Sequence, residues 1–329
     1  MMRAWLLKEQ TGSRDLQLVE CEKPVPTGTE VLVRMTAPCV TPFDSAVINN
    51  ENETSFPPAT LPIRPGNQGA GIVEDPGTSS FFRGDRVMFG NFPYGFMRPG
   101  SWAEYAAVEA EDMTLIPASV SDSAAAQAVV AYPTAYFALK EAGFVAGKSV
   151  LAPGIGGAVG NAAYQLARGL GAVKVFSTAG STEKAKLAEA AGFENVINLS
   201  EESISEGILR RNNGQGVDIV IDSLGGQILA DAVKCVVRYG KVIALGFSAG
   251  RTSTIALADL ILVRASIQGF GAYTSTREEW RNAWTIFTQL ANEGKIAPLF
   301  DRSFAFNRAP EALHHLIRNR PFGSVALNF

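Results

Sequence analysis

The sequence predicts an α/β protein in which a mostly antiparallel β domain precedes a doubly wound parallel sheet. Before residue 120 the chain is rich in Pro and Gly, and turn signals separate short extended runs, which is typical of antiparallel sheets. After residue 149, Val- and Ile-rich runs alternate with helical patterns. Such runs suit strands buried on both faces, as in a parallel sheet covered by helices.

The N-terminal domain is predicted to end where a helical pattern begins. Its extended runs are Leu16–Val19, Val31–Met35, Gly71–Glu74, Asp85–Phe89 and Trp102–Val108. Ser121 or Ser123 can cap a helix that continues through Ala124 to Val130. We therefore predict that residues 1–122 form the N-terminal part of the first domain and that a boundary follows residue 122.

A glycine-rich turn follows the predicted strand Ser149–Ala152. Its members are Gly154, Gly156, Gly157, Ala158, Val159 and Gly160, and a helical pattern continues from 161 to 169. Glycines let backbone N–H groups approach a pyrophosphate, and a helix N-terminus attracts its negative charge. The spacing departs from strict GxGxxG, but the strand–turn–helix context still predicts a dinucleotide-binding turn.

Further strand–helix units support this interpretation. The predicted strands are Val173–Ser177, Asn195–Asn198, Val217–Asp222 and Lys241–Gly246, and the predicted helices cover residues 183–191, 201–211 and 227–237. Ligands bind at the carboxyl edge of doubly wound sheets. The residues predicted to contact a cofactor there are Ser223, Gly246, Phe247, Gly269 and Phe270.

The end of the second strand of this sheet indicates which dinucleotide binds. NAD-binding folds tend to place Asp or Glu there to grip the ribose, whereas this chain has Ser177, Thr178, Ser181 and Lys184. Hydroxyls and a lysine suit a 2′-phosphate, so we predict NADPH. The alternative is that Ser181 only caps the next helix and Lys184 is solvated.

Composition excludes several classes of function. The 329 residues carry a formal net charge of −3, which gives no reason to expect nucleic acid or a membrane as a partner. No apolar run approaches the roughly 20 residues of a spanning helix, and charges follow Met1 too soon for a signal peptide. Three distant cysteines favour a reducing, cytoplasmic location. The adjacent His314 and His315 form no chelate by themselves, so we predict no metal site.

Motifs along nearly the whole chain carry a family resemblance. They are Pro24 and Pro26 before residues 30–33, Val40–Asp44, Pro65–Gly71, Gly84–Val87, Gly100–Tyr105, Thr134–Tyr136, the glycine turn and Asp218–Gly226. In order and spacing they resemble the medium-chain dehydrogenase/reductase superfamily, in its zinc-independent quinone oxidoreductase and enoyl reductase branch. The resemblance implies a GroES-like β-barrel-type domain of residues 1–122 and 273–329, with a Rossmann NADP-binding domain of residues 123–272.

The chain departs from the zinc-dependent members of this superfamily. Those members place Cys and His ligands where this chain has Thr41 and Asn67, and a Glu where it has Gln68. Their structural-zinc cysteines would fall between Val87 and Val108, where this chain has none. Without zinc as a Lewis acid, hydride transfer is left for acceptors that need little activation, such as quinones or conjugated carbonyl compounds.

The resemblance also implies a set of site residues. Thr41, Asn67 and Tyr132 are the expected hydrogen-bond donors to the reacting carbonyl, and Thr134 lines the nicotinamide site. Asp44, Phe92 and Tyr94 are expected beside the substrate. Asp44 can instead fix a turn, Tyr132 can belong to the core, and the aromatic segment from Gly90 to Gly100 can pack on itself.

These observations predict an NADPH-dependent oxidoreductase that transfers a hydride to a quinone or a similar conjugated carbonyl. The alternatives are an enone or 2-enoyl thioester reductase and a catalytically idle NADPH-binding sensor or structural protein. The Tyr that enoyl thioester reductases of this kind use shortly after Asp44 has no counterpart between Asn49 and Thr60. The resemblance further implies a homodimer that pairs near Ser266–Tyr273.

Overall fold

The Val- and Ile-rich runs form one parallel sheet in a computed structural model, which describes residues 1–51, 59–91 and 93–329. The strands are β1 Met2–Leu7, β2 Leu16–Cys21, β3 Glu30–Val40, β4 Gln68–Asp75, β5 Arg86–Gly90, β6 Tyr105–Glu109, β7 Met113–Leu115, β8 Ser149–Ala152, β9 Lys174–Ala179, β10 Val196–Asn198, β11 Val217–Asp222, β12 Val236–Ala244, β13 Ser266–Gly269, β14 Phe300–Ala305 and β15 Ser324–Asn328. The α-helices are α1 Pro42–Ile48, α2 Asp122–Glu141, α3 Ala158–Gly169, α4 Thr182–Ala190, α5 Ile204–Arg211, α6 Gly226–Val233, α7 Leu257–Ile261, α8 Arg277–Asn292 and α9 Ala309–His314.

The parallel sheet has the strand order β10-β9-β8-β11-β12-β13. Every neighbouring pair in it is parallel, and Val150 of β8 is in register with Val175 of β9. Parallel strands need crossover connections, which α3 to α6 supply between successive strands. This topology confirms the predicted doubly wound α/β domain.

The other large sheet has the order β14-β15-β3-β4-β5-β7, with β6 also paired to β3. Its pairs are antiparallel except for β14 with β15, and β1 and β2 form a separate hairpin. β15 pairs with β3 near Cys39 and Val40, so the C-terminal strand completes the N-terminal domain. The predicted GroES-like β domain with a C-terminal return is therefore confirmed.

The chain divides into two compact units. The first is Met1–Val130, Thr276–Trp284 and Phe300–Phe329, and the second is Ala131–Ser275 with Thr285–Leu299. The predicted division at residues 122 and 273 differs by a few residues at those two boundaries and in one longer segment, residues 285–299, which belong with the parallel sheet. The Gln165 side chain of α3 explains why, because it accepts from Ala297 N at 2.6 Å and donates to Ala297 O at 2.9 Å.

One predicted helix is too long. Residues 227–237 were expected to be helical, but α6 ends at Val233 and β12 begins at Val236. Tyr239 within that strand has φ +64°, a left-handed conformation that breaks the extended pattern the sequence would otherwise show.

Over the described ranges, no helix is long and apolar enough to cross a membrane.

Candidate active site and cofactor-binding turn

In the glycine turn after β8, the first turn of α3 lies very close to the backbone of Pro153 and Gly154. Gly154 has φ +83°, which favours glycine. A Cβ on Gly160 would lie 2.3 Å from the carbonyl oxygen of Pro153 and 2.5 Å from that of Gly154. Any side chain at position 160 would therefore push α3 away from the turn that precedes it.

The turn opens the N-terminus of α3 toward a ligand. Gly157 is the N-cap of this 12-residue helix, and within the described part of the chain no side chain caps it. The first turn, with Ala158 and Val159, also carries no acidic residue. Unpaired N–H groups and the positive end of the helix dipole suit a pyrophosphate, so the predicted turn fits a dinucleotide.

Two predicted phosphate contacts are wrong. Ser177 has no exposed surface, and its hydroxyl donates to the Ala152 carbonyl of the neighbouring strand. Thr178 is also buried, and its hydroxyl oxygen accepts from Gly154 N at 2.9 Å while its carbonyl accepts from Ile155 N at 3.0 Å. Both side chains lie behind the glycine turn, where Thr178 supports its shape.

Ser181 and Lys184 lie in the first turn of α4, immediately after β9. Ser181 is the N-cap, and its hydroxyl oxygen accepts from Lys184 N at 3.3 Å. The capping alternative is therefore present in the structure. Both side chains are half-buried. The structure thus brings one hydroxyl and one ammonium group to the end of the second strand of the parallel sheet.

The loops after β11 and β12 pack against each other at the carboxyl edge. Leu245 N donates to Asp222 O at 2.9 Å, and Ala249 N donates to Leu224 O at 2.7 Å. A Cβ on Gly246 would lie 2.3 Å from Ser223 O, so only glycine permits this approach. A Cβ on Gly154 would lie 3.2 Å from the Leu224 side chain, which places these loops beside the glycine turn.

This edge also holds residues that the sequence analysis missed. Phe247 is 51% exposed, and the Arg251 guanidinium lies 4.4 Å from its ring centroid. Asp222 is fully buried and accepts from Gly225 N at 2.8 Å, and burial raises the pKa of its carboxyl. No motif marks Arg251, because an exposed arginine is common in many contexts, and Asp222 lies within the family motif Asp218–Gly226, which by itself assigns it no role. Gly269 ends β13, and the N–H of the next residue, Phe270, donates to Ala244 O at 2.9 Å.

A second cluster forms around the start of α1 in the first unit. Thr41 is the N-cap of α1 and forms a capping box with Asp44. Thr41 N and Thr41 Oγ1 each donate to Asp44 Oδ2 at 2.7 Å, and Asp44 N donates to Thr41 Oγ1 at 3.2 Å. The turn-fixing alternative for Asp44 is thus correct, and α1 begins with Pro42, which is favourable at that position.

Asp44 also binds the segment that follows Pro65. Its Oδ1 accepts from Gly66 N at 3.1 Å and from Asn67 N at 3.2 Å. Burial raises the pKa of this carboxyl to about 6, against the hydrogen bonds from Thr41, Asn67 and Gly66, which favour its charged form. The carboxyl therefore joins two segments that are distant in the sequence.

Asn67 completes the cluster. Its Oδ1 lies 3.2 Å from Thr41 Oγ1, and its side chain is half-buried. Among residues 1–51, 59–91 and 93–329, its Nδ2 has no hydrogen-bond partner. Thr41 and Asn67 are thus brought together as predicted, with an amide N–H available to a ligand.

These residues do not fit a zinc ion. Zinc takes Cys sulfur, His nitrogen and carboxylate oxygen, whereas Thr41 and Asn67 offer neutral oxygens and Asp44 uses both of its oxygens in hydrogen bonds. Gln68 donates to Cys39 Sγ at 3.5 Å, and burial raises the pKa of that thiol to about 12. In the described ranges, no group of three or more His, Cys, Asp or Glu residues could hold a metal ion.

The structure argues against Tyr132 as a donor to substrate. It is 2% exposed, and its ring centroid lies 4.9 Å from that of Phe287. Its hydroxyl finds no partner in the part of the chain that the structure describes, and burial raises its pKa far above the ordinary value. The core alternative is therefore correct. Thr134, two residues further along α2, is also buried.

Tyr94 does not line a substrate site either. It is 1% exposed, its ring packs against Phe89, and its hydroxyl donates to Asp112 Oδ2 at 3.1 Å while it accepts from Glu109 N at 3.0 Å. The prediction is wrong because a tyrosine in a Gly/Pro-rich segment can fold back into the core. Phe92 lies outside the described residues.

Comparisons with known proteins agree with this architecture. Residues 27–118 match the family model described as alcohol dehydrogenase GroES-like domain, and residues 158–289 match the one described as zinc-binding dehydrogenase. Human quinone oxidoreductase is 30% identical over 321 residues, which cover 96% of this chain and 94% of that protein.

Solved structures extend the comparison. An alcohol dehydrogenase superfamily protein from Novosphingobium aromaticivorans superposes with a TM-score of 0.88 at 27% identity, over 100% of both chains. Escherichia coli quinone oxidoreductase, solved in complex with NADPH, superposes with a TM-score of 0.84 at 26% identity, over 99% of this chain and 100% of that chain. The chain therefore belongs to the medium-chain dehydrogenase/reductase superfamily, in its quinone oxidoreductase-like branch.

Proposed function

We propose that this protein is a zinc-independent, NADPH-dependent oxidoreductase that reduces a quinone or a similar conjugated carbonyl compound. The observation that carries the proposal is the Thr41–Asn67 pair, which presents a neutral amide donor at the position where zinc-dependent relatives are expected to hold a metal. The open glycine turn at Gly157 supports a dinucleotide cofactor, as described above.

The preference for NADPH rests on the end of β9. β9 ends at Ala179 without an acid. The start of α4 holds Ser181, Glu183 and Lys184, and an acid in the first turn is favourable to the helix by itself. A charge-assisted contact from a lysine to a 2′-phosphate is among the stronger hydrogen bonds in proteins. The NADPH bound to the E. coli relative agrees with this preference.

Bound NADPH would supply a hydride from its nicotinamide C4. The acceptor gains that electron pair and develops negative charge on its carbonyl oxygen, which a preorganised N–H donor such as Asn67 Nδ2 would stabilise. A proton from water or from a donor at the site completes the reduction. A quinone needs less help than an enone, because aromatisation of the ring favours the transfer.

The experiment is a panel of acceptors scored by the loss of NADPH absorbance. A simple para-quinone, a cyclic enone and a 2-enoyl thioester would be compared at equal concentrations, with NADH in parallel. We expect the quinone to be reduced fastest and NADPH to be preferred. Tight binding of NADPH with no turnover on any acceptor would favour the sensor or structural alternative.

The partner we propose is a second copy of this chain. β13 pairs with β12 alone among the described strands, so Ser266–Gly269 forms an edge of the parallel sheet. Leu257, Ile261 and Leu262, on and next to α7, are each at least 69% exposed. Pairing of edge strands between two copies would cover these groups. Light scattering should give a dimer mass, and a monomer at micromolar concentration would contradict it.

The three cysteines Cys21, Cys39 and Cys235 are free thiols. Free thiols persist in reducing compartments, and we place the protein in the cytoplasm on that ground.

A further inference from the structure

We propose that Asp44 is a positioning residue that takes up the Thr41 proton and leaves the Asn67 side-chain amide as the operative donor to the substrate oxygen. The inference rests on the proposed function and names the group of that site that donates a hydrogen bond to the substrate oxygen. It also assigns a role to the carboxyl, which the reaction does not otherwise use.

The proton of the Thr41 hydroxyl is the first step of the argument. This hydroxyl has one hydrogen and two acceptors within reach, Asp44 Oδ2 at 2.7 Å and Asn67 Oδ1 at 3.2 Å. A charged acceptor at the shorter distance forms the stronger bond. While Asp44 is ionised, Thr41 therefore has no proton left to offer a substrate.

The backbone around Asn67 is fixed by the same carboxyl. Asp44 Oδ1 accepts from the N–H groups of Gly66 and Asn67. Gly66 has φ +97°, and a Cβ there would lie 2.3 Å from Ser101 Oγ, so neighbouring residues also confine the segment. Asn67 therefore starts from a position that Asp44 sets.

The backbone at residues 66 and 67, which Asp44 holds, places the Asn67 amide, because the Thr41 proton goes to Asp44 and leaves no hydrogen for a bond to Asn67. Its Oδ1 lies on the Thr41 side, so the Nδ2 group is directed elsewhere, and the side chain is half-buried rather than enclosed. An amide presents two N–H donors on this nitrogen, and neither has a partner among the described residues. This is the donor that a developing oxyanion can use.

The ionisation of Asp44 makes the arrangement sensitive to pH. The groups facing its carboxyl are Thr41, Gly66 and Asn67, and the titratable group nearby is the Cys39 thiol, which its raised pKa keeps neutral. Because burial raises the pKa of Asp44 to about 6, the carboxylate is present above that pH and is lost as the pH falls through it. Protonation removes acceptor sites for Thr41 and for the Gly66–Asn67 backbone.

The test uses Asp44→Asn, Asn67→Ala, Thr41→Val and the double variant of Asp44 and Asn67. We expect Asn67→Ala to slow enone reduction about 100-fold and Asp44→Asn to slow it about tenfold. Thr41→Val should slow it less than either of these variants. The double variant should be no slower than Asn67→Ala, because Asp44 acts through Asn67. Additive losses, or a larger loss in Thr41→Val than in Asn67→Ala, would overturn the proposal.

Asp122→Asn is the matched control. Asp122 also accepts from a threonine hydroxyl, that of Thr36 at 2.6 Å, but it belongs to a separate ion pair with Arg86. It should leave the enone rate and its pH profile unchanged. In the unaltered protein that rate should fall as the pH drops through about 6. The same inflection in Asp44→Asn would refute the role of Asp44.

A measurement without turnover separates this inference from the proposed function. In protein labelled with ¹⁵N-asparagine, the Asn67 side-chain amide resonance should shift with a midpoint near pH 6, and Asp44→Asn should abolish that shift. If no acceptor is reduced but the shift is present, the proposed function fails and the positioning role stands. If acceptors are reduced and no shift occurs, only the positioning role fails.

Discussion

The glycine turn after β8 and the Asp44 cluster at the start of α1 are built in opposite ways. The turn presents backbone N–H groups, and its geometry depends on missing side chains at Gly154 and Gly160. The cluster presents a side-chain amide, and its geometry depends on hydrogen bonds between residues 41, 44 and 67. A site made by the backbone leaves a continuous pattern in the sequence, whereas one made by side chains leaves scattered residues of ordinary types.

The largest effect should come from the side-chain site. Replacing Asn67 with Ala removes a donor that meets full negative charge on an enone oxygen, which costs up to about 3–4 kcal/mol. A quinone should lose much less, because aromatisation already drives its reduction. Steady-state rates on both acceptors, with the NADPH dissociation constant measured in parallel, check this difference.

Tyr132→Phe is the contrast to that variant. The Tyr132 hydroxyl is buried and has no partner among the described residues, so its removal relieves an unsatisfied polar group. We expect enone and quinone rates close to those of the unaltered protein and a slightly higher melting temperature. A large loss of enone reduction would restore Tyr132 to the site.

The next effect should appear at the end of β9. Replacing Lys184 with Ala should weaken NADPH binding far more than NADH binding, by about 1.5–3 kcal/mol for a charge-assisted phosphate contact. Fluorescence titration of both cofactors measures the difference. Lys186→Ala, on an exposed part of the same helix, serves as the control. Equal affinities of the unaltered protein for both cofactors would contradict the assignment.

A methyl group at Gly160 in the glycine turn should destabilise the fold by a free energy similar to the binding free energy that Lys184→Ala loses. Gly160→Ala places a Cβ against two carbonyl oxygens, and overpacking of this kind costs about 1–3 kcal/mol. We expect a lower melting temperature together with at least tenfold weaker NADPH binding. Gly180→Ala is the control, because its Cβ would meet nothing within 4 Å in the described structure. Equal melting temperatures for the two variants would show that the turn can relax.

The smallest effect on the rate is expected from a metal chelator. Since Thr41, Asn67 and the hydrogen-bonded Asp44 do not fit zinc, a chelator should leave the rate unchanged, and elemental analysis should find no stoichiometric zinc. About one zinc per chain would contradict this expectation. It would also show that the Asp44 cluster is more than a set of hydrogen-bonded side chains.

Where sequence reasoning was wrong, it misjudged burial. Ser177 and Thr178 follow the pattern of a phosphate-binding strand end, yet both face the interior, because β9 continues to Ala179 before the chain turns. Tyr94 and Tyr132 are polar aromatics in plausible positions, and the packing against Phe89 and Phe287 encloses them. A pattern of residue types does not say which side chains a neighbouring element will cover.

The amino-acid sequence was enough to predict the fold class, the order of the strand–helix units, the glycine turn and the family. Each of these follows from local patterns, since hydrophobic periodicity and glycine spacing act over a few residues. Three outcomes needed the folded structure: residues 285–299 join the unit of the parallel sheet, Asp44 binds the backbone of Asn67, and the Thr41 hydroxyl lies within reach of both Asp44 and Asn67. Those outcomes depend on distances between groups far apart in the chain, and differences of a few tenths of an ångström decide hydrogen bonds.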